Sequence, residues 1–214
     1  MRIESRTVGA FAENCYLLVD EESGRGVLVD PGDDGERIID MVAKSGAVLD
    51  AIWLTHAHLD HIGAINTVRA RYAVPVYLHP LDLPFYERLS AHASRMYGLP
   101  WDQPEAATLP IAEGDRLTCG TLEFVVMHVP GHAPGQVSFN GHGVAISGDL
   151  LFSGSIGRTD LPLSDPYAMD VSLEHFAALP ASTVVYPGHG TYTTIGKEIE
   201  TNPFLSGRAR TVKR

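Results

Sequence analysis

The chain has only two cysteines in 214 residues, Cys15 and Cys119. Their spacing matches neither a metal knuckle nor a redox pair, and two cysteines cannot build a disulfide framework. No apolar run reaches the roughly 18 residues that read as a membrane-spanning helix. The opening MRIESRTVGAFAENCYLLVD lacks the long apolar core of a signal peptide, so a cytoplasmic protein is the simplest expectation. Positive charge is also scarce, with 16 Lys and Arg against 26 Asp and Glu and a formal net charge of -10. A phosphate backbone is neutralised by a basic face. The sole concentration of such charge is the final Arg208, Arg210, Lys213 and Arg214, which reads as a solvated tail. No nucleic-acid or membrane partner is expected. An anionic small molecule would need its own local Lys or Arg, although bound divalent metals would lower part of that barrier.

What is present favours one domain with a sizeable core and many turns, since 44% of residues are hydrophobic and 21 glycines and 14 prolines punctuate them. NCYLLVD (14–20) and GVLVD (26–30) predict two strands around a polar turn. Residues 34–44 carry helical spacing with acidic residues at the start. DAIWL (50–54) predicts a buried strand, 62–72 a helix, and 74–78 a strand at an edge or starting just after Pro75. Residues 80–110, with five prolines and a predicted helix over 83–96, read as a surface excursion that either shapes a pocket or is a tolerated insertion. Strands follow at 116–119, 122–127, 136–139, 144–147 and 183–186, with helices at 167–179 and 194–200. Strands in adjacent groups and strands alternating with helices together favour two packed mixed sheets flanked by helices.

The chemistry concentrates in THAHLDHIG (55–63), which puts His56, His58, Asp60 and His61 directly after an apolar strand. A tight strand-to-helix loop there can aim all four at one centre. Left buried and unpaired they would be costly, so metal binding is the expectation. VVMHVPGHAPG (125–135) offers His132 in an open turn, while His128 could equally support that turn or be a ligand. Asp149 follows a strand in VAISGDL, and His189 stands between two glycines in VVYPGHG. Alone, each would be an ordinary turn residue. Three strand ends added to the histidine cluster point to a shared site.

These stretches resemble the metallo-beta-lactamase superfamily to about Pro203, through THAHLDH, GH at 131–132, GD at 148–149 and GH at 188–189. Within it the chain looks most like the glyoxalase II (hydroxyacylglutathione hydrolase) branch, through VDPGDD (29–34), HVPGHAPGQVSF (128–139), SGDLLFSGSIGRTDLP (147–162) and GHGTYTTIGKEIETNPFL (188–205). The resemblance implies a four-layer αββα sandwich, with a catalytic domain over 1–203 and a basic tail over 204–214. It implies two divalent metal ions, zinc first with iron or manganese as alternatives. One would be held by His56, His58 and His132, the other by Asp60, His61 and His189, with Asp149 bridging. A hydroxide shared by the metals would attack a carbonyl while Asp60 orients it and accepts its proton. The implied substrate is a small glutathione thioester, S-2-hydroxyacylglutathione. The helical C-terminal domain of the longer glyoxalase II enzymes is not expected in this chain.

Arg158 is the nearest cation in sequence for a substrate carboxylate; its alternative is a loop clasp with Asp160 or Asp165. Arg88 and Arg95 are further candidates, and Tyr86 and Tyr97 either line the pocket or pack. Competing readings are an iron-dependent persulfide dioxygenase, a lactonase or other small-ester hydrolase, and a non-catalytic metal-stabilised interaction domain. The complete two-metal residue set favours hydrolysis, and seven ligands for two metals leave positions open to water, whereas structural zinc sites are closed by four.

Overall fold

Alternation along the central strands builds the layers of the structure. The computed structural model describes residues 1–91, 95, 98, 101–105, 108–209 and 211. Six strands form the first sheet in chain order: β1 (Arg2–Val8), β2 (Glu13–Asp20), β3 (Arg25–Val29), β4 (Val48–Trp53), β5 (Val76–Leu78) and β6 (Thr108–Pro110). Leu17 pairs with Leu28 and Leu18 with Val27. Because successive side chains point to opposite faces, Leu17, Leu28 and Ile52 pack outward with Ile38, Met41, Ile65 and Val68. These last residues belong to helices α1 (Gly35–Ser45) and α3 (Ile65–Arg71). Leu18, Val27, Val29 and Trp53 face the other way, onto Phe124, Val126, Phe139 and Ile146 of a second sheet.

That second sheet is built from β7 (Arg116–Cys119), β8 (Leu122–His128), β9 (Val137–Gly141), β10 (Val144–Gly148), β13 (Val184–Pro187) and β14 (Thr193–Thr194), in spatial order β14-β13-β10-β9-β8-β7. β11 (Leu151–Phe152) and β12 (Ser155–Ile156) form a separate hairpin. The outer face of the second sheet is covered by Met169, Leu173 and Phe176 of α5 (Pro166–Ala177) and Ile195 of α6 (Ile195–Thr201), packed with Ala145 and Val185. Helices, sheet, sheet and helices make the four-layer αββα sandwich, and three separate apolar clusters fill the gaps between layers. Trp53 sits in the middle gap, 5.6 Å from Phe124 and 5.2 Å from Phe139 between ring centroids. No helix among the described residues is long and apolar enough to cross a membrane.

Two local expectations change. The predicted helix over 62–72 is two helices, α2 (Leu59–Ile62) and α3, broken at Gly63. A side chain at Gly63 would meet the indole nitrogen of Trp101 and the carbonyl of Gly32, so tertiary contact, not helix propensity, decides the break. In the excursion the predicted helix is interrupted: α4 (Leu83–Tyr86) is a single turn, the chain turns at Glu87 and Arg88, and residues 89–91 and 95 are helical again; residues 92–94 and 96 of the predicted helix lie outside the described residues. β5 lies between β4 and β6, with Pro75 just before it, so of the two placements that Pro75 allowed the strand-start one is observed. The two- and three-residue strands β6, β11, β12 and β14 carry too few residues to show a period. β1 was also missed, although RIESRTV does alternate in part.

Candidate metal centre

The loops that follow β4, β8, β10 and β13 meet at one end of the sandwich. Apolar β4 ends at Trp53, and Thr55 is locked by Asp30, whose carboxylate accepts from the Thr55 N–H (2.8 Å) and Oγ1 (2.6 Å). His58, in extended conformation, is the N-cap of α2 (Leu59–Ile62), so Asp60 and His61 come from the first turn of that helix. Asp149 directly follows β10, after Gly148 at φ +49. His189 follows β13 after Gly188, where a Cβ would stand 2.3 Å from the Asp149 carboxylate and 2.8 Å from the His61 ring. Only glycine permits that approach. β2 secures the last loop: Tyr16 donates to the Pro187 carbonyl (2.6 Å), and the Asn14 side chain donates to the carbonyls of Pro187 (3.2 Å) and Gly190 (2.8 Å).

All seven side chains singled out in the sequence come together. Donor atoms of His56, His58 and His132 lie within 4.8 Å of one another, and so do those of Asp60, His61 and His189. Asp149 stands between the groups, with one oxygen 3.5 Å from His61 Nε2 and the other 3.4 Å from His132 Nε2 and 3.5 Å from His189 Nε2. His189 Nε2 is also 3.3 Å from Asp60. Ring orientation is set from behind. His132 Nδ1 lies 2.9 Å from the Arg158 carbonyl, which can only accept, so the proton belongs on Nδ1 and Nε2 turns its lone pair inward, 2.8 Å from His58 Nδ1. His61 Nδ1 lies 3.0 Å from the Asp30 carboxylate, which leaves Nε2 facing Asp149. Such outer hydrogen bonds orient imidazole ligands and raise their basicity.

The electrostatics suit bound cations. Burial, reinforced by neighbouring histidines, holds His56 well below the ordinary imidazole range and pushes His58 down to about 3. Burial also opposes charge on His61, but Asp149 and Asp60 override it and hold this imidazole well above its usual value. For Asp149 burial is again opposed, chiefly by His61, and the carboxyl lies below its normal range. Among the described residues, the buried His56 Nε2, His61 Nε2 and Asp149 Oδ1 have no hydrogen-bond partner. Orphaned buried atoms of these types are expensive unless a cation satisfies them, so the donor set fits metal binding.

Other sequence candidates sort differently. His128 supports the turn: its Nε2 lies 2.9 Å from the Pro134 carbonyl and its ring stacks on His79 at 4.3 Å. Arg158 borders the cavity above the cluster but is clasped by Asp160 through two bonds of 2.7 and 3.0 Å. Asp165 instead caps α5. Arg88 and Arg95 are not among the cavity residues, Tyr86 is buried in the helix-side core, and Tyr97 lies outside the described residues. Sequence reasoning missed Asp30, Asn14 and Glu13. Glu13 is fully buried behind His61, 3.8 Å from its Nδ1, and burial raises its carboxyl well above the usual range. The cavity has a volume of about 340 Å³, with Phe11, Phe85, Phe152, Ile156, Leu161 and Pro162 as walls over a floor that includes His58, Asp60, His132, Asp149 and His189. Phe85 meets His58 edge-on at 5.2 Å, and Phe152 meets His189 at 5.9 Å.

Fold and site thus define a metal-binding αββα sandwich, and residues 8–189 match the metallo-beta-lactamase superfamily, to which the chain belongs. Members of that superfamily are mainly metal-dependent hydrolases. The hydroxyacylglutathione hydrolase GloC of Haemophilus influenzae is 38% identical over 98% of this chain and 100% of its own. The structure of TTHA1623 in a di-iron-bound form shares 46% identity and a TM-score of 0.87 over 94% of this chain and 100% of that one. The B3 metallo-beta-lactamase BLEG-1 shares 39% identity and a TM-score of 0.90 over 96% and 100%.

Proposed function

We propose that this chain hydrolyses a small thioester, S-2-hydroxyacylglutathione, to glutathione and a 2-hydroxy acid, with two divalent metals held by His56, His58 and His132 and by Asp60, His61 and His189, Asp149 serving both. The observation that carries the reading is the pair of ligand clusters sharing one carboxylate at the floor of an open cavity. A structural metal site would be closed by protein ligands instead. When bound, the two cations supply a water that ionises near neutral pH and an electrophilic pull on a carbonyl oxygen. The likeness to GloC supports the thioester, and the di-iron relative supports a dinuclear site with iron as an alternative to zinc.

The chain's residues then have separable tasks. Asp60 orients the attacking water and takes its proton as the new carbon–oxygen bond forms at the acyl carbon. The carbon–sulfur bond breaks and the sulfur leaves as thiolate, a weak enough base that no separate strong acid is required. Phe85 and Phe152 flank the reacting groups and keep them from bulk water. Arg158, at the cavity margin, takes a substrate carboxylate in exchange for Asp160.

Metal analysis of protein purified without chelator should approach two equivalents, and the loaded protein should turn over S-lactoylglutathione faster than a neutral thioester, a lactone or a β-lactam. One tightly bound iron, with oxygen consumed on glutathione persulfide, would replace this reading by the dioxygenase one. No thioester cleavage with two metals in place would remove the substrate and leave the hydrolase class.

The clasp makes a paired prediction. Arg158→Ala should raise KM for S-lactoylglutathione about tenfold with kcat little changed, the lower end of what a charge-assisted contact contributes because Arg158 is exposed. Asp160→Asn should lower KM by weakening the clasp that competes with the substrate carboxylate. Neither change should affect a neutral thioester; equal losses on both substrates would mean that Arg158 only shapes its loop.

A further inference from the structure

Outside the two ligand clusters, one buried carboxylate connects loops that belong to different sheets. His79-Pro80-Leu81-Asp82 follows β5 as a tight turn, with the Leu81 N–H donating to His79 Nδ1 (3.3 Å) and the Asp82 N–H to the His79 carbonyl (3.0 Å). Asp82 is fully buried. One of its oxygens accepts from the Ala57 N–H (2.9 Å) and the other from the Gly135 N–H (2.6 Å). Ala57 separates His56 from His58 on the first sheet's loop. Gly135 closes the His132 turn, which joins β8 to β9 of the second sheet. His128 closes the same arrangement from the other side, stacking on His79 while it bonds the Pro134 carbonyl.

The residue type follows from the geometry. Two backbone N–H groups converge on one short side chain, so two acceptor oxygens are required; asparagine would turn an N–H₂ toward one of them. A Cβ at Gly135 would stand 2.8 Å from both the Asp82 backbone nitrogen and its carboxylate, which leaves no room for a side chain there. Burial pushes the Asp82 carboxyl up to about 6 against the pull of these two hydrogen bonds. The other cluster has its own supports, since His61 leans on Asp30 and the His189 loop on Asn14 and Tyr16.

We propose that Asp82 is a positioning residue for the His56–His58–His132 cluster alone, tying the two loops that carry these histidines so that their nitrogens converge before a cation arrives. The inference rests on the metal-binding reading above. The two clusters can be isolated by His189→Ala, which retains the first, and His132→Ala, which retains the second. Asp82→Asn is added to each, the metal-free proteins are checked for cooperative thermal unfolding, and zinc affinity is measured by chelator competition. In the His189→Ala background affinity should fall about 10- to 100-fold, the scale of losing an outer-shell partner. In the His132→Ala background it should not change. Loss in both backgrounds, or in neither, overturns the proposal. If Asp82→Asn does not fold, Gly135→Ala disturbs the same contact from the other side and is judged by the same criterion. Absence of zinc binding by the unsubstituted chain would instead overturn the metal reading on which the inference stands.

Discussion

Asp149→Ala is expected to strip metal from both halves of the site and to reduce hydrolysis by about 10²- to 10⁴-fold. Its two oxygens reach His61 on one side and both His132 and His189 on the other, so among the described residues it is the carboxylate placed between the clusters. Losing bound metal forfeits several kcal/mol of transition-state stabilisation, about 3–5 kcal/mol here. At about 1.4 kcal/mol per tenfold, that is the stated factor. His189→Ala supplies the contrast, because its loss should release chiefly one equivalent and leave His56, His58 and His132 loaded. Metal analysis of the two variants side by side decides the matter. Loss of the same single equivalent in both would contradict the shared role of Asp149.

Asp60→Asn should separate ligation from proton transfer. The substitution keeps the shape of the side chain in α2 but removes the charge that His61 and His189 hold below the normal carboxyl range against the cost of burial. Weaker metal binding at the second cluster is expected and can be overcome with excess metal. At saturation kcat should still be reduced by about 10²- to 10⁴-fold, the usual contribution of a positioned general base. Full recovery of kcat with both equivalents restored would make Asp60 a ligand and nothing more.

The candidate ligand residues were legible because their chemistry is local. Four of them occupy six consecutive positions directly after an apolar strand, and the other three each follow an apolar run beside a glycine. The layered fold was legible for a related reason: β2, β3 and β4 are long and apolar enough to be read singly, and their two-sided burial requires a layer on each face. Short strands and the break at Gly63 were not legible, since a two-residue strand has no period and the break depends on Trp101, far along the chain.

The sequence by itself singled out which side chains are candidates for metal binding, and an acidic chain with few basic groups left only local cations as candidates for a substrate contact. It left His128 as either turn support or a further ligand, and left Arg158 as either substrate contact or clasp. Tertiary structure decided the geometry of both: His132 turns a lone pair into the cluster while His128 braces the turn, and Arg158 at rest is held by Asp160. It alone revealed Asp30 and Asp82 as the groups behind the histidines. The reason is physical. A ligand is recognised by its own chemistry, whereas a support is defined by the backbone N–H or imidazole it meets, and that meeting exists only after the sheets have packed.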